Sequence, residues 1–493
     1  MWQTWCPTSL VTRRATSPER FSPSVEASVL MHENLQIQSP LFWPIHRLGE
    51  AFRRGDLSPV EVLEEALVRT DQFNPLLNAY LGRLDEQALE QAKTAEKLFQ
   101  DKTEDLPVLC GVPISVKDTF ELADSITTYG SLLFRENRTE QDCGVVWRLR
   151  AAGAVFPGKT NAAEFGQSAT TDNLLGDDAR NPWDKSLTPG GSSGGAAASV
   201  AAGLATAAIG ADGGGSIRIP ASFTGLFGIK PTFGLCPNES GLRAMSDFIA
   251  PGPLTRCVAD ARTILEILAE RKYHRQSLGS ESLRVVWCPN PEDRPVDPEV
   301  AKVLDSAVTK LSDLGHKVEE NRLPLEGWNS AFATLVLAEE QRERGKLLEQ
   351  SPEQLTDYER KSLEAGRRLT IKDVENARSA HSEYQQRLRE FFKDVDIIAI
   401  PSTATTAFPI RQRPQEIDGK RVSSLWGAVP FTAPFNVSGN PAVSIPCGLC
   451  DNLPVGLQLV GQWNAEELLL NLSEDMENSL EFDNILIKEK WEH

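Results

Sequence analysis

Two glycine-dense runs, Gly190-Gly191-Ser192-Ser193-Gly194-Gly195 and Asp212-Gly213-Gly214-Gly215-Ser216-Ile217-Arg218, place serines among residues with no side chain to obstruct them. A serine hydroxyl is a weak nucleophile at its ordinary pKa, so chemistry at either site needs a base and hydrogen-bond donors for a developing oxyanion. The glycines before Ser216 let successive backbone N–H groups converge on one concave spot. On residue type alone, the same runs fit a pair of tight or flexible turns equally well.

The base is not readily a histidine. The six histidines stand at 32, 46, 274, 316, 381 and 493, outside the glycine-dense stretch, and His274 and His316 lie in charged, helix-like text. A Ser-His-Asp arrangement is therefore disfavoured. Lys117 follows the apolar run Val112-Pro113-Ile114-Ser115-Val116 at what reads as the end of a buried strand. Burial there would lower its pKa from about 10.4 toward neutrality and free it to accept a proton. An ion pair between Lys117 and Asp118 fits the bare sequence as well. Asp212 and Arg218 are expected to pair and brace the loop between them.

A metal centre is not expected. Eight cysteines are scattered along the chain, and Cys447-x-x-Cys450 has neither a second such pair nor nearby histidines. Free structural thiols in a reducing compartment, the cytoplasm, are the expectation. No G-x-x-x-x-G-K-[ST] occurs in the glycine-rich text, which removes a phosphate-loop reading.

The elements that must hold these residues read as an α/β fold. Ser58-Pro59-Val60-Glu61 is a helix start with Ser at N-cap, Pro at N1 and Glu at N3. An amphipathic helix follows over 84–100. Between Cys110 and Gly234, short apolar runs at 112–116 and 154–156 read as buried strands, and the small residues of 196–209 as a helix packed tightly on a sheet. Charged helices at 299–314, 339–350 and 373–392 make 292–390 a peripheral helical insertion with polar faces. Core strands return at 397–400, 442–446 and 456–460. Residues 1–44 are expected to be a disordered extension, 45–475 one domain and 476–493 a tail. The first thirty residues lack the apolar stretch of a secretory signal; Glu19 and Glu26 spoil a transit-peptide pattern, and Met31 is an alternative start.

A net charge of −18 disfavours nucleic acid and anionic membrane surfaces. No segment has the roughly 18–20 consecutive apolar residues of a membrane span.

The two glycine-serine runs, with Gly111 to Asp118, Gly158-Lys159-Thr160-Asn161, Glu164, Asn181-Pro182-Trp183, Gly228-Ile229-Lys230-Pro231 and Gly252-Pro253-Leu254, resemble the amidase signature family. The resemblance runs from about Ile45 to Leu472, and the 24-position separation of Ser192 and Ser216 fits it. It implies a single large domain with a mixed, twisted central β-sheet flanked by α-helices. It further implies Ser216 as nucleophile, Ser192 as proton relay on a cis peptide and Lys117 as general base and acid. Ser193 is not the relay on that spacing. Backbone N–H groups of Gly213, Gly214, Gly215 and Ser216 would form the oxyanion hole, and Gly166 would border substrate. Gly213 stands where relatives often carry a larger residue, which would relax the loop or widen the acyl pocket.

The reaction so implied is hydrolysis of a small-molecule amide through an acyl-enzyme, with no metal or organic cofactor, extending to aryl amides, esters or carbamates. Trp426, Phe431 and Phe435 are expected to line an apolar pocket. A homodimer is compatible with the family. Two other readings are the glutamine-hydrolysing component of a tRNA-dependent amidotransferase and a catalytically silent scaffold. The charged text of Thr334 to Lys346 argues against the first, and the intact Lys117, Ser192 and Ser216 against the second.

Overall fold

Eleven short strands, most of them buried, form one sheet in this computed structural model, which describes residues 39–493 except 239–241, 277–281, 481, 483–486, 488, 489, 492 and 493. In chain order they are β1 (Tyr80–Arg83), β2 (Ile114–Lys117), β3 (Gly158–Thr160), β4 (Ala207–Asp212), β5 (Phe227–Lys230), β6 (Ala250–Thr255), β7 (Arg284–Trp287), β8 (Lys317–Glu320), β9 (Ile397–Pro401), β10 (Ala442–Cys450) and β11 (Leu453–Gly461). Their spatial order is β1-β3-β2-β4-β6-β5-β10-β11-β9-β7-β8. β2 runs parallel to β3 and β4. The centre from β4 to β9 is antiparallel, and β9-β7-β8 is parallel again. This is the mixed sheet the sequence led us to expect.

The helices used below are α1 (Ile45–Arg54), α2 (Pro59–Leu77), α3 (Asp85–Gln100), α4 (Gly194–Ala201), α5 (Arg218–Thr224), α6 (Pro298–Asp313), α7 (Trp328–Arg344), α8 (Asp357–Gly366), α9 (Ile371–Phe391) and α10 (Glu466–Leu480). α2 begins as its sequence dictates. Ser58 and Glu61 exchange side-chain and backbone hydrogen bonds in a capping box, with Pro59 at N1.

Several expectations need correction. The small-residue run 196–209 is not one helix: α4 stops at Ala201, Gly203 takes φ +65°, and Ala207 onward is strand. Alanine's preference for helix is a weak prior that tertiary packing overrides once Gly203 has ended the helix. Val155 makes only an isolated bridge to Pro113, and the strand of that region is β3, further on. Nor is 292–390 wholly a peripheral insertion, because β8 lies within it as the edge strand of the main sheet. α6 presents Val300, Leu304, Ala307 and Leu311 to the same core as β10 and β11.

The ends differ as well. Residues 1–38 of the expected N-terminal extension lie outside the described residues. Pro40–Phe42 already form a 3-10 turn, with Leu41 and Phe42 buried. At the other end α10 runs through Met476 to Leu480, and Trp491 packs edge-on against Phe73 at 5.0 Å between ring centroids. Its indole donates to the Pro182 carbonyl (3.1 Å), and its own carbonyl accepts from Arg69 (2.9 Å). Trp491→Ala is expected to destabilise the protein by about 3 kcal/mol through the cavity it leaves. A thermal melt read as a fall in Tm of several degrees checks this.

Candidate active site

β2 delivers Lys117 to the middle of the molecule, where it is 1 % exposed. Its ammonium does not turn to Asp118. Lys117 Nζ donates to Ser192 Oγ at 2.7 Å and to the Ala211 carbonyl at 3.3 Å. Asp118 instead faces Lys159 Nζ at 2.9 Å and accepts from the Thr128 amide and hydroxyl. Burial pulls the Lys117 ammonium down to about 7, against the opposing pull of the Asp212 carboxylate. A lysine in that range exchanges protons readily near neutrality.

Ser192 follows a cis Gly191–Ser192 peptide at the entrance to α4 and is 1 % exposed. Ser193 points elsewhere, its hydroxyl 3.5 Å from the Ala211 carbonyl beneath the loop. Gly166 borders the site: a Cβ there would come to 3.5 Å of Ser192 Oγ.

The second serine lies in the turn between β4 and α5. Gly215 has φ +129°, and a Cβ on it would fall 2.0 Å from Thr432 Oγ1, so only glycine fits. Thr432 donates to the Gly214 carbonyl at 2.8 Å, fixing the turn from the other side. Asp212 and Arg218 pair as expected, both fully buried, through Nη2–Oδ1 at 2.8 Å and Nε–Oδ2 at 3.0 Å. Arg218 also donates to the Thr432 carbonyl, Asn436 Oδ1 and Gln458 Oε1. Burial pushes the Asp212 carboxyl up, but the Arg218 guanidinium and Asn436 amide outweigh it and hold the group well below the usual carboxylate range.

Asp212 corrects one expectation. The Gly215 N–H, read as an oxyanion donor, is held by Asp212 Oδ1 at 2.7 Å. Gly213 also departs from what was expected. The volume a side chain would fill there is taken by Met245, whose Sδ would lie 2.4 Å from a Cβ, so the missing side chain does not widen the pocket.

Ser216 and Gly214 open onto a cavity of about 330 Å³, with Gly166 and Met245 beside them. Its apolar wall is built by Phe332, Val336 and Leu337 of α7 together with Trp426. Phe332 and Trp426 meet edge-on, 6.1 Å between centroids. Phe431 and Phe435 pack in the core instead, 1 % and 0 % exposed. α7 and α8 lie within the 292–390 segment expected to carry specificity, but the residues that line the cavity from α7 were not singled out. The signal was present in the helical spacing of Phe332, Val336 and Leu337, masked by the charged residues around them. All seven cysteines among the described residues are free, and these residues hold no group of three or more metal-binding side chains.

A buried lysine bonded to a serine, beside a second serine in a glycine turn at a cavity, has the components of a hydrolase that acts on carbonyl carbons. Residues 61–470 match the family model for amidases. The chain is 34 % identical to an acylamidase of Rhodococcus erythropolis over 86 % of its own length and 92 % of that protein's. It is 33 % identical to the first component, designated A, of the glutamyl-tRNA(Gln) amidotransferase of Symbiobacterium thermophilum, over 87 % and 94 %. A crystal structure of an amidase superposes with TM-score 0.83 at 31 % identity, covering 89 % of this chain and 100 % of that one. The chain belongs to the amidase family, and it is an enzyme that hydrolyses carbon–nitrogen amide bonds.

Proposed function

We propose that the chain hydrolyses a small-molecule amide with an apolar acyl or aryl group through an acyl-enzyme on Ser216. Lys117 in its neutral form takes a proton from Ser192, Ser192 takes one from Ser216, and the Ser216 oxygen bonds to the carbonyl carbon. The relay then runs backward: the proton passes to the departing nitrogen as the carbon–nitrogen bond breaks. Water, deprotonated by the same lysine through Ser192, adds to the acyl carbon and frees Ser216. The N–H groups of Gly213, Gly214 and Ser216 are the proposed oxyanion donors. The observation that carries this reading is the 2.7 Å contact from Lys117 Nζ to Ser192 Oγ in a fully buried setting. No metal or organic cofactor takes part. Esters and carbamates with the same acyl group enter the same path, because the attacked carbon is the same.

A phosphonylating serine probe, followed by peptide mapping, tests the assignment. One equivalent of label on Ser216 is expected, and label on another serine would overturn it.

The apolar cavity wall favours an amidase acting on free small molecules over the glutaminase reading that the amidotransferase relatives raise. Purification without partner chains, and failure to release ammonia from glutamine, are the corresponding results. The free thiols support residence in the cytoplasm, and the net charge of −18 opposes nucleic acid. Among the described residues no helix is long and apolar enough to cross a membrane. A homodimer is the proposed assembly, read by light scattering.

A further inference from the structure

One residue that shapes the cavity takes no part in the proposed proton path. Met245 borders the cavity together with Ser216, Gly214, Phe332 and Trp426. It stands over the glycine turn: a Cβ added at Gly213 would meet its Sδ at 2.4 Å, its Cβ at 3.1 Å and its Cγ at 3.3 Å. At the next position, a Cβ on Gly214 would fall 3.1 Å from Phe332 Cζ. Met245 and Phe332 thus come down to the backbone of the turn itself. Phe248 backs the same wall, its ring centroid 5.2 Å from that of Phe332.

Met245 holds an unfavourable backbone conformation to do so. Its φ is +52°, in the left-handed region where a residue with a long side chain is uncommon. Bonds on both sides fix it there. The Phe248 and Ile249 N–H groups donate to the Met245 carbonyl at 2.8 and 2.9 Å. The Ser246 N–H donates to Glu339 Oε2 of α7 at 2.8 Å, and Arg344 Nη1 of the same helix donates to the Arg243 carbonyl at 2.7 Å. Both of these α7 side chains are buried, so the segment carrying the thioether is clamped to the cavity wall. With its backbone fixed, Met245 can adjust only through its own side-chain torsions.

We propose that Met245 is a specificity-determining residue: its thioether limits the bulk on the acyl carbon next to the scissile carbonyl. That placement rests on the proposed attack by Ser216, with the carbonyl oxygen on the N–H groups of Gly213, Gly214 and Ser216. The carbon one bond away then lies where Met245 and Phe332 close on the turn. A methylene or a flat ring passes beside them, and a carbon bearing three further carbons does not. The substrate class is therefore amides whose acyl group is unbranched or aromatic at that carbon. Gly213 belongs to the same device. It is not one of the glycines with positive φ, so its backbone accepts a side chain, and a methyl there would drive the flexible thioether further into the cavity.

The measurement is kcat/KM for pentanoyl over trimethylacetyl p-nitroanilide, compared between the parent and its variants so that the intrinsic reactivities of the two anilides cancel. Met245→Ala should lower the preference for the straight chain by about tenfold or more, the scale of one methylene in an apolar pocket. Gly213→Ala should raise it, and adding Met245→Ala to Gly213→Ala should bring it back to the parent's ratio or below. An unchanged ratio in Met245→Ala, or an equal loss on both anilides, overturns the proposal. If that variant does not fold, Met245→Gly, for which a positive φ carries no penalty, takes its place. Gly213→Ala then reads the opposite direction. Should neither anilide turn over, the rates at which phosphonylating probes bearing an n-butyl or a tert-butyl group label the protein give the same ratio. The label also separates the two claims. Ser216 labelled with an unchanged ratio sinks the role of Met245 alone, whereas a shifted ratio with the label on another serine sustains Met245 as the wall and sinks the nucleophile.

Discussion

Ser216→Ala is expected to lower kcat/KM for any accepted amide by about 10⁵-fold, to little more than what binding and the oxyanion donors supply alone. The side chain is small, so removing its oxygen leaves the turn intact. The glycine turn is held by the Gly215–Asp212 and Thr432–Gly214 hydrogen bonds, neither of which involves the serine hydroxyl. Ser192→Ala should fall nearly as far, and the double variant scarcely further, because groups acting on one proton path are not additive. Progress curves on purified variants with matching thermal melts make the measurement. Residual activity within tenfold of the parent would remove Ser216 from the reaction.

Lys117→Met should lower kcat/KM by roughly 10³–10⁴-fold, the scale of a positioned acid–base group. In the parent, burial sets the Lys117 ammonium at about 7, so kcat/KM should climb with pH to a plateau above that value, and Lys117→Met should abolish this limb. Stability rises with pH as well. The folded lysine holds its proton less tightly than the unfolded one, so from about 7 up to the ordinary lysine value near 10.4 the unfolded chain carries a proton that the folded chain lacks. Stability therefore rises with pH across that window, and the penalty for burying Lys117 is complete below it. Lys117→Met should thus be the more stable protein, by the widest margin at the acid end. Lys230, likewise brought to about 7 by burial and then Arg218, is present in both proteins, so their difference isolates Lys117. Chemical denaturation at several pH values reads it.

The site residues were more legible than the walls around them. Ser192, Ser216, Asp212 and Arg218 sit in local text whose glycines and charges announce turns, but on residue type alone those turns could have been bland, and the roles of the two serines came from the family resemblance. Lys117 was found by the apolar run before it, though its partner was ambiguous, since nothing local says whether an ammonium turns to its neighbour Asp118 or crosses to a loop 75 positions away. α7 was misjudged for a different reason. Glu339, Glu340 and Arg344 count as surface on any hydropathy pattern, yet all three are buried, sheltered by contacts from α8 and the loop before Asp247. Phe431 and Phe435 erred in the opposite direction, because an aromatic side chain suits a pocket wall and a core equally. Trp491 shows the limit of reading ends: its anchors, Phe73, Arg69 and Pro182, lie hundreds of positions upstream.

The Arg218 guanidinium binds Thr432, Gln458 and Asn436, more than 200 positions toward the C-terminus. Closing loops of that length is slow, and it is impossible before the later segment exists. A chain that ends at Ser216 would hold that serine in an unbraced turn, without the Thr432 and Asn436 bonds that set it. The brace around the turn is therefore complete only when the segments carrying Thr432, Asn436 and the Gln458 of β11 have joined the sheet.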